Sequence, residues 1–255
     1  MADAPSTIGQ GRIIAHRGAS RAAPENTLSA FREAARQGAR WVELDVSLLG
    51  DGTAVIHHDA TWDRCTNGSG ALADAGAGDL AALDAGSWFG MAYAGEPVPT
   101  LKQTLDLLEG LGLFANLEMK PHGAADRRLA SGVAAALTAR PWAAERILVS
   151  SFDHGELAAL RSHLPDQPIA LLSKTAEAWV DTARTLRAAA LHVHIAALNG
   201  DLLEEAALHG INLSTYTVND PALVRPYRDR GLGGVITDDP SLFLDDPAWA
   251  AWGAH

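Results

Sequence analysis

Short apolar runs recur along this chain, and each is followed by a longer stretch in which apolar and charged residues are mixed. Several runs are almost continuously apolar, which is typical of strands buried on both faces of a parallel sheet. The pattern predicts eight strands: Arg12–Ala15, Trp41–Ser47, Leu113–Met119, Ile147–Ser151, Ile169–Leu172, Leu191–Ile195, Asn212–Val218 and Gly234–Thr237.

The segments between these runs are rich in Ala, Leu, Glu and Arg, which are good helix formers. Capping residues mark several starts, namely Asn26 or Thr27, then Asp153, and then Asp220. The predicted helices include Leu28–Gln37, Asp126–Ala139, Gly155–His163, Ala176–Ala189, Leu202–His209 and Ala222–Arg230.

Eight strands that alternate with helices predict a (β/α)₈ TIM barrel, formed by residues 1–255 as a single domain. A doubly wound open sheet is the alternative, which the number of strands disfavours. The gap from Ser47 to Leu113 is too long for one βα connection. We therefore expect an insertion at about residues 51–101, which begins with a hairpin at Gly50–Gly52 and lies as a lid over the mouth of the barrel.

Polar residues end the first three predicted barrel strands. His16 follows the first strand, the second contains Glu43 and Asp45, and the third ends with Glu118 and Lys120. Side chains two positions apart share a face of a strand, so we expect all five at one inner rim of the barrel. The alternative interpretation is that each is a solvated charge at a strand end.

Three carboxylates in one pocket raise one another's pKa unless positive charge lies among them. A divalent cation meets this need, and oxygen ligands without cysteine favour Mg²⁺, Ca²⁺ or Mn²⁺ over Zn²⁺. The insertion also contains His57 and His58, of which one faces the site. Together with His16 it supplies an acid and a base for one reaction.

Composition and charge limit the classes of binding partner and the cellular compartment that we expect. The chain has 20 Lys and Arg against 31 Asp and Glu, a net charge of −11 that disfavours nucleic acid but leaves a small anionic substrate possible. No apolar run approaches the roughly 20 residues of a membrane span, and residues 1–11 lack the pattern of a signal peptide. A lone Cys65 fits a reducing compartment. We expect a cytoplasmic protein without stable membrane anchoring, whose oligomeric state stays open.

A set of short sequence motifs indicates a resemblance to a known protein family. None is specific alone, but their order and spacing are, from about Ile13 to Pro240. The motifs are Ala15–Gly18, Pro24–Leu28, Glu43–Val46, His58–Asp59, Arg64–Gly70, Asp84–Phe89, Gly95–Leu101, Asn116–Pro121, Ser150–Phe152, Tyr216–Asn219 and Ile236–Asp238. On this set the chain resembles the glycerophosphodiester phosphodiesterase family, in particular its compact cytosolic bacterial members.

The resemblance implies a TIM barrel that hydrolyses glycerophosphodiesters to sn-glycerol 3-phosphate and an alcohol. By the family pattern, the general acid and base are His16 and His58, the metal ligands are Glu43, Asp45 and Glu118, and the residues that hold the phosphate are Arg17 and Lys120. The nucleophile is either the glycerol 2-hydroxyl, through a cyclic phosphate, or water. Which histidine acts first as base also stays open.

Two other functions remain. A lysophospholipase D-like or other phosphodiesterase on the same scaffold requires an apolar groove for acyl chains. A non-catalytic barrel that binds a phosphorylated ligand is disfavoured by the presence of both His16 and His58, since binding alone needs no acid–base pair.

The remaining conspicuous residues have structural interpretations. We expect Arg12 to be an ordinary surface or helix-end charge and His192 to have a packing role. Trp88 and Phe89 are expected to form the insertion's own core, with one of them a candidate for the substrate entrance. Trp249 is expected to anchor the C-terminal tail.

Overall fold

A computed structural model describes residues 12–123 and 127–252. Residues 1–11, where we expect no signal peptide, and Asp126, the predicted start of a helix, lie outside the described residues. The described strands are β1 (Arg12–Ala15), β2 (Trp41–Leu48), β3 (Ala54–Ile56), β4 (Phe114–Met119), β5 (Ile147–Ser151), β6 (Ile169–Ser173), β7 (Ala190–His194), β8 (Asn212–Tyr216) and β9 (Gly234–Thr237). The described helices are α1 (Leu28–Arg36), α2 (Leu101–Leu111), α3 (Arg128–Thr138), α4 (Ala143–Arg146), α5 (His154–His163), α6 (Trp179–Leu186), α7 (Gly200–Leu208), α8 (Arg225–Arg228), α9 (Ser241–Leu244) and α10 (Pro247–Trp252).

Eight of these strands form a closed parallel barrel in the order β1-β9-β8-β7-β6-β5-β4-β2. Pairing of β1 with β2, with Ile14 opposite Trp41, closes the ring. β3 pairs antiparallel with β2 and stands outside the ring. The TIM barrel with an insertion after its second strand is therefore confirmed, and the open doubly wound sheet was wrong.

The barrel strands are apolar along their length because both of their faces are buried. On β1, Ile13 and Ala15 join the large core between the sheet and the helices. Ile14 points the other way, into a small core that fills the barrel. The other buried members of this inner core are Trp41, Leu148, Ala170, Ala190 and Ile236.

Arg12 lies inside the barrel, so the expectation of a surface charge was wrong. Its side chain is only 2% exposed, because strand alternation puts it on the same inner face as Ile14. The guanidinium stacks over the Trp41 ring at 5.0 Å and donates a hydrogen bond to Asn212 Oδ1 at 2.5 Å. These contacts come from two other strands, which the local sequence around Arg12 does not reveal.

The predicted caps are found at the helix starts. Thr27 accepts a hydrogen bond from the amide of Ala30 at the start of α1, and Asp153 caps α5. The predicted helix Ala222–Arg230 is instead divided into a 3₁₀ turn at Pro221–Leu223 and α8. Pro226 has no amide hydrogen to continue a helix but is tolerated in a first turn, so a new helix starts just before it.

The insertion between β2 and α2 contains β3, the predicted hairpin and three short 3₁₀ helices, at Leu72–Asp74, Ala77–Ala82 and Met91–Tyr93. Its core consists of Leu49, Val55, Trp62, Leu72, Ala85 and Val98. Trp88 and Phe89 lie outside this core, contrary to the prediction, and Trp62 is its aromatic member. Trp88 is 42% exposed, whereas Phe89 lines a cavity beside His16.

The tail packs as predicted, since Trp249 is fully buried with its ring edge-to-face against Phe243 at 5.2 Å. Among residues 12–123 and 127–252, no helix has the length and apolar character needed to cross a membrane.

Candidate active site

Three carboxylates meet at the C-terminal mouth of the barrel. Asp45 on β2 stands opposite Glu118 on β4, and Glu43 stands one inward-facing position lower. All three side chains are buried, and one oxygen from each lies within 4.8 Å of the other two. Neighbouring parallel strands in register thus deliver side chains from distant parts of the sequence to one point.

Burial and the charges of neighbouring carboxylates raise the pKa of two of these three side chains. Burial, together with the charges of Asp45 and Glu118, raises the pKa of Glu43 well above its usual value. Burial and the charge of Asp45 likewise raise the pKa of Glu118. Burial also acts to raise the pKa of Asp45, but the charges of Arg17 and Lys120 outweigh it, so this pKa is lowered.

The donor set fits a hard divalent cation. Within the described residues, the buried oxygen Oε1 of Glu43 accepts no hydrogen bond. Three carboxylates provide negative charge and oxygen ligands without sulfur, the combination that Mg²⁺, Ca²⁺ and Mn²⁺ prefer. A buried oxygen without a donor is costly unless something positive occupies the position beside it.

Two cations and an asparagine hold the carboxylates in place. Arg17 Nε lies 3.2 Å from Asp45 Oδ2, and the Arg17 amide donates to Glu43 Oε2 at 2.9 Å. Lys120 Nζ lies 3.3 Å from Asp45 Oδ1 and pairs closely with Glu118. Asn26 donates a hydrogen bond to Asp45 Oδ2 at 2.8 Å. Asn26 belongs to the Pro24–Leu28 motif, but the motif alone did not reveal this role.

His16 reaches the same mouth from the end of β1. Its Nδ1 lies 2.6 Å from Asp238 Oδ1, and its Nε2 lies 3.9 Å from Glu43 Oε2. The short contact assigns the Nδ1 proton to the bond with Asp238 and leaves Nε2 toward the carboxylates. Asp238 in turn accepts hydrogen bonds from Asn219 at 2.7 Å and Ser20 at 3.3 Å. In the sequence, Asp238 is distinguished only as the end of the Ile236–Asp238 motif.

The two successive histidines of the insertion have different surroundings. His57 is buried, with Nε2 2.9 Å from the Thr61 carbonyl oxygen and its ring 5.0 Å from that of Trp62. His58 lies near the carboxylates, where burial lowers its pKa and the charge of Asp45 partly opposes this effect. Its Nδ1 is 2.6 Å from Asp59 Oδ1, so each candidate histidine has an aspartate at Nδ1.

Three cavities adjoin the carboxylates and the residues around them. One of about 540 Å³ lies on the His16 side and includes Arg17, Arg21 and Phe89. A second, of about 580 Å³, lies on the Lys120 side and is bordered by Phe152. The third, of about 320 Å³, is largely apolar and lies between the insertion and α3, with Lys120 in its wall. The mouth therefore has room for groups on more than one side of the carboxylates.

The seven residues predicted from the sequence thus lie around one mouth. Six are joined by the contacts above, and His58 is close enough for electrostatic interaction with Asp45, Arg17 and Lys120. The residues whose roles the sequence did not reveal contact these seven directly or through one another: Glu25, Asn26, Asp59 and Asp238 directly, Arg64 through Asp59 and Glu25, and Asn219 through Asp238.

Comparison with known proteins gives a consistent result. The model of the glycerophosphoryl diester phosphodiesterase family matches residues 16–242. A glycerophosphodiester phosphodiesterase of Caldanaerobacter subterraneus is 34% identical over 235 residues, which cover 91% of this chain and 96% of that protein.

Solved structures are similar as well. One is an Oleispira antarctica phosphodiesterase in complex with the product sn-glycerol-3-phosphate, with a TM-score of 0.86, 33% identity, and coverage of 90% of this chain and 94% of that chain. Another is a glycerophosphodiester phosphodiesterase of Agrobacterium tumefaciens, with a TM-score of 0.79, 28% identity, and coverage of 93% and 100%. The chain belongs to the glycerophosphoryl diester phosphodiesterase family.

Proposed function

We propose that this protein hydrolyses glycerophosphodiesters to sn-glycerol 3-phosphate and an alcohol, with a divalent cation bound by Glu43, Asp45 and Glu118. The observation that carries the proposal is the buried group of three carboxylates beside two histidines, each of which contacts an aspartate through Nδ1. Family membership supplies the reaction class, and the product complex of the Oleispira relative supports sn-glycerol 3-phosphate as the product.

The chemistry follows from where charge develops. A phosphodiester carries one negative charge, and its transition state gathers more charge on the equatorial oxygens. A bound Mg²⁺ or Ca²⁺, or in its place Mn²⁺, supplies positive charge there. Lys120 and Arg17 add further positive charge, although Arg17 is shared with Glu25 and Asp45.

The two histidines perform the proton transfers. One accepts the proton of the attacking hydroxyl through Nε2, while the other donates a proton to the departing alkoxide. Asp238 and Asp59 hold the Nδ1 protons and so present Nε2 of each ring toward the mouth. If the glycerol 2-hydroxyl attacks first, a cyclic phosphate forms and the histidines exchange roles when water opens it.

A substrate panel tests the proposal. The purified protein is freed of metal with EDTA, dialysed and assayed with glycerophosphocholine, glycerophosphoethanolamine, glycerophosphoglycerol and bis-p-nitrophenyl phosphate, with enzymatic detection of glycerol 3-phosphate. We expect no activity without metal, recovery with Mg²⁺ or Ca²⁺, and a transient cyclic phosphate in ³¹P NMR if the hydroxyl attacks. Full activity after exhaustive chelation would remove the cation from the mechanism.

A lysophospholipase D-like activity is a second candidate. The observation that favours it is the largely apolar cavity of about 320 Å³, whose walls include Leu49, Leu72 and Leu129 with Lys120 beside them. Lysophosphatidylcholine in the same panel separates the two functions. A higher kcat/KM for it than for glycerophosphocholine would favour this activity.

We further propose that the substrate is a small molecule and that the protein is cytoplasmic, with no nucleic-acid partner. The single cysteine and the net charge of −11 support these assignments.

A further inference from the structure

Arg64, which lies in the insertion, binds the carboxylates of both Asp59 and Glu25. Its Nε donates to Asp59 Oδ2 at 2.6 Å. Its two terminal nitrogens donate to the two oxygens of Glu25, at 2.7 and 2.8 Å. A planar guanidinium satisfies both acids at once, which a lysine ammonium with its single nitrogen does not.

Each of these carboxylates also contacts a residue of the proposed catalytic site. Asp59 contacts His58 Nδ1 at 2.6 Å through its other oxygen. Glu25 accepts a hydrogen bond from Arg17 Nη1 at 2.6 Å, and Arg17 Nε lies 3.2 Å from Asp45. The contacts form one chain of alternating charge: His58, Asp59, Arg64, Glu25, Arg17 and Asp45.

The position of this chain argues for a role in orientation more than in stability. Arg64 is 46% exposed, and exposed ion pairs contribute little to the free energy of folding. Its partner Glu25 is mostly buried and binds Arg17 and Arg64 together. Without Arg64, Arg17 would be the one remaining partner of Glu25 among the residues that the structure describes, and Asp59 would be free to rotate away from His58.

We infer that Arg64 is a positioning residue that aligns the histidine of the insertion with the carboxylate site of the barrel. The inference rests on the proposed function, in which His58 transfers a proton and Asp45 binds the cation. Arg64 contacts neither of these groups directly. It acts through Asp59 on one side and through Glu25 and Arg17 on the other.

The first test uses Arg64→Ala and Arg64→Lys, with Arg36→Ala as control. Arg36 is an exposed arginine on α1 that forms an ion pair with Glu33. We expect both Arg64 variants to lose about 10- to 100-fold in kcat with little change in KM, and the control to keep wild-type values. Millimolar guanidinium should restore part of the kcat of Arg64→Ala, whereas sodium chloride of equal ionic strength should not.

Combination with Asp59→Asn tests the route. If Arg64 acts through Asp59, the double variant should lose less than the product of the two single losses. A loss in the double variant equal to the product of the two single losses would show that Arg64 does not act through Asp59. Unchanged kcat in both Arg64 variants, or equal rescue by guanidinium and sodium chloride, would overturn the inference.

A readout without turnover separates this inference from the proposed function. Long-range ¹H–¹⁵N correlation spectra of His58 report which ring nitrogen carries the proton. We expect an Nδ1 proton in the wild type and a mixture of tautomers in Arg64→Ala and Arg64→Lys. An identical His58 spectrum in all three proteins contradicts the positioning role, even if no substrate of the panel is hydrolysed. A wild type that is inactive on the whole panel, with the expected spectra, contradicts only the proposed function.

Discussion

The two ends of the barrel bury charge in different ways. At the mouth, Glu43, Asp45 and Glu118 lie together, with Arg17 and Lys120 against them. At the opposite end of the barrel, where the strands begin, Arg12 is a buried cation that stacks on Trp41 and hydrogen-bonds to Asn212. Burial alone lowers the pKa of Arg12, to about 10.

This difference separates a site from a core. Where the strands begin, the charge of Arg12 lies against an aromatic face and an amide oxygen, contacts that serve packing. The mouth brings like charges together and raises the pKa of Glu43 and Glu118, an arrangement that costs stability without a ligand. Groups that strain the folded state in this way are typical of functional sites.

The largest expected effect comes from removing one charge at the mouth. Glu43→Gln keeps the shape of the side chain and its acceptor for the Arg17 amide but removes a cation ligand. We expect kcat to fall by about 10²- to 10³-fold or more, the scale of lost transition-state charge stabilisation. The exposed Glu109 on α2 provides the control Glu109→Gln, which should keep wild-type kcat.

The same variant tests whether the mouth costs stability. In EDTA, Glu43→Gln should unfold at a higher temperature than the wild type, because less repulsion is buried. Differential scanning calorimetry measures this. A lower unfolding temperature would mean that Glu43 stabilises the fold, and the contrast between the two ends of the barrel would fail.

A smaller effect is expected from the partner of His16. Asp238→Asn removes the charge that holds the Nδ1 proton and permits the wrong tautomer. We expect kcat to fall by about 10²-fold, the lower end of what a positioned acid or base contributes, while cation affinity stays close to that of the wild type. Calorimetric titration with Ca²⁺ provides the second measurement. A variant with wild-type kcat would show that the contact with His16 has no part in catalysis.

The smallest effect, and one on stability alone, is expected from His192. This residue shares the inner face of β7 with Ala190 and is fully buried. Burial, with a contribution from the charge of Arg12, lowers its pKa to about 3. In the unfolded chain His192 binds a proton as the pH falls below about 6.5, whereas in the folded chain its lowered pKa keeps the ring neutral. Stability should therefore fall as the pH drops below about 6.5, by about 2 kcal/mol at pH 5.

Urea unfolding at pH 7 and pH 5 checks this prediction by comparison with His192→Asn. The variant should lose less stability between the two pH values than the wild type, by about 2 kcal/mol. The exposed His163 provides the control His163→Asn, which should retain the wild-type difference. Equal pH dependence in the wild type and His192→Asn would show that His192 takes up a proton in the folded state.

Local rules in the sequence determined much of this molecule. The order of apolar runs and helix-forming segments predicted the barrel strands and the insertion, because these patterns depend on neighbours a few residues apart. Alternation along β2 placed Glu43 and Asp45 on one face for the same reason. The motifs then indicated the family. What they assigned to His16, His58 and the basic residues remains a set of predictions for the experiments above.

Only the tertiary structure decided which distant residues meet. Closure of the barrel puts Asp238 against His16, from the opposite end of the chain, and folding of the insertion puts Arg64 against Glu25. It also buries Arg12, whose neighbours in sequence are those of an ordinary strand. Periodicity and capping act within one element, whereas strand register and barrel closure arise from packing between elements. The sequence alone therefore identified the residues that carry charge, and the fold determined their partners.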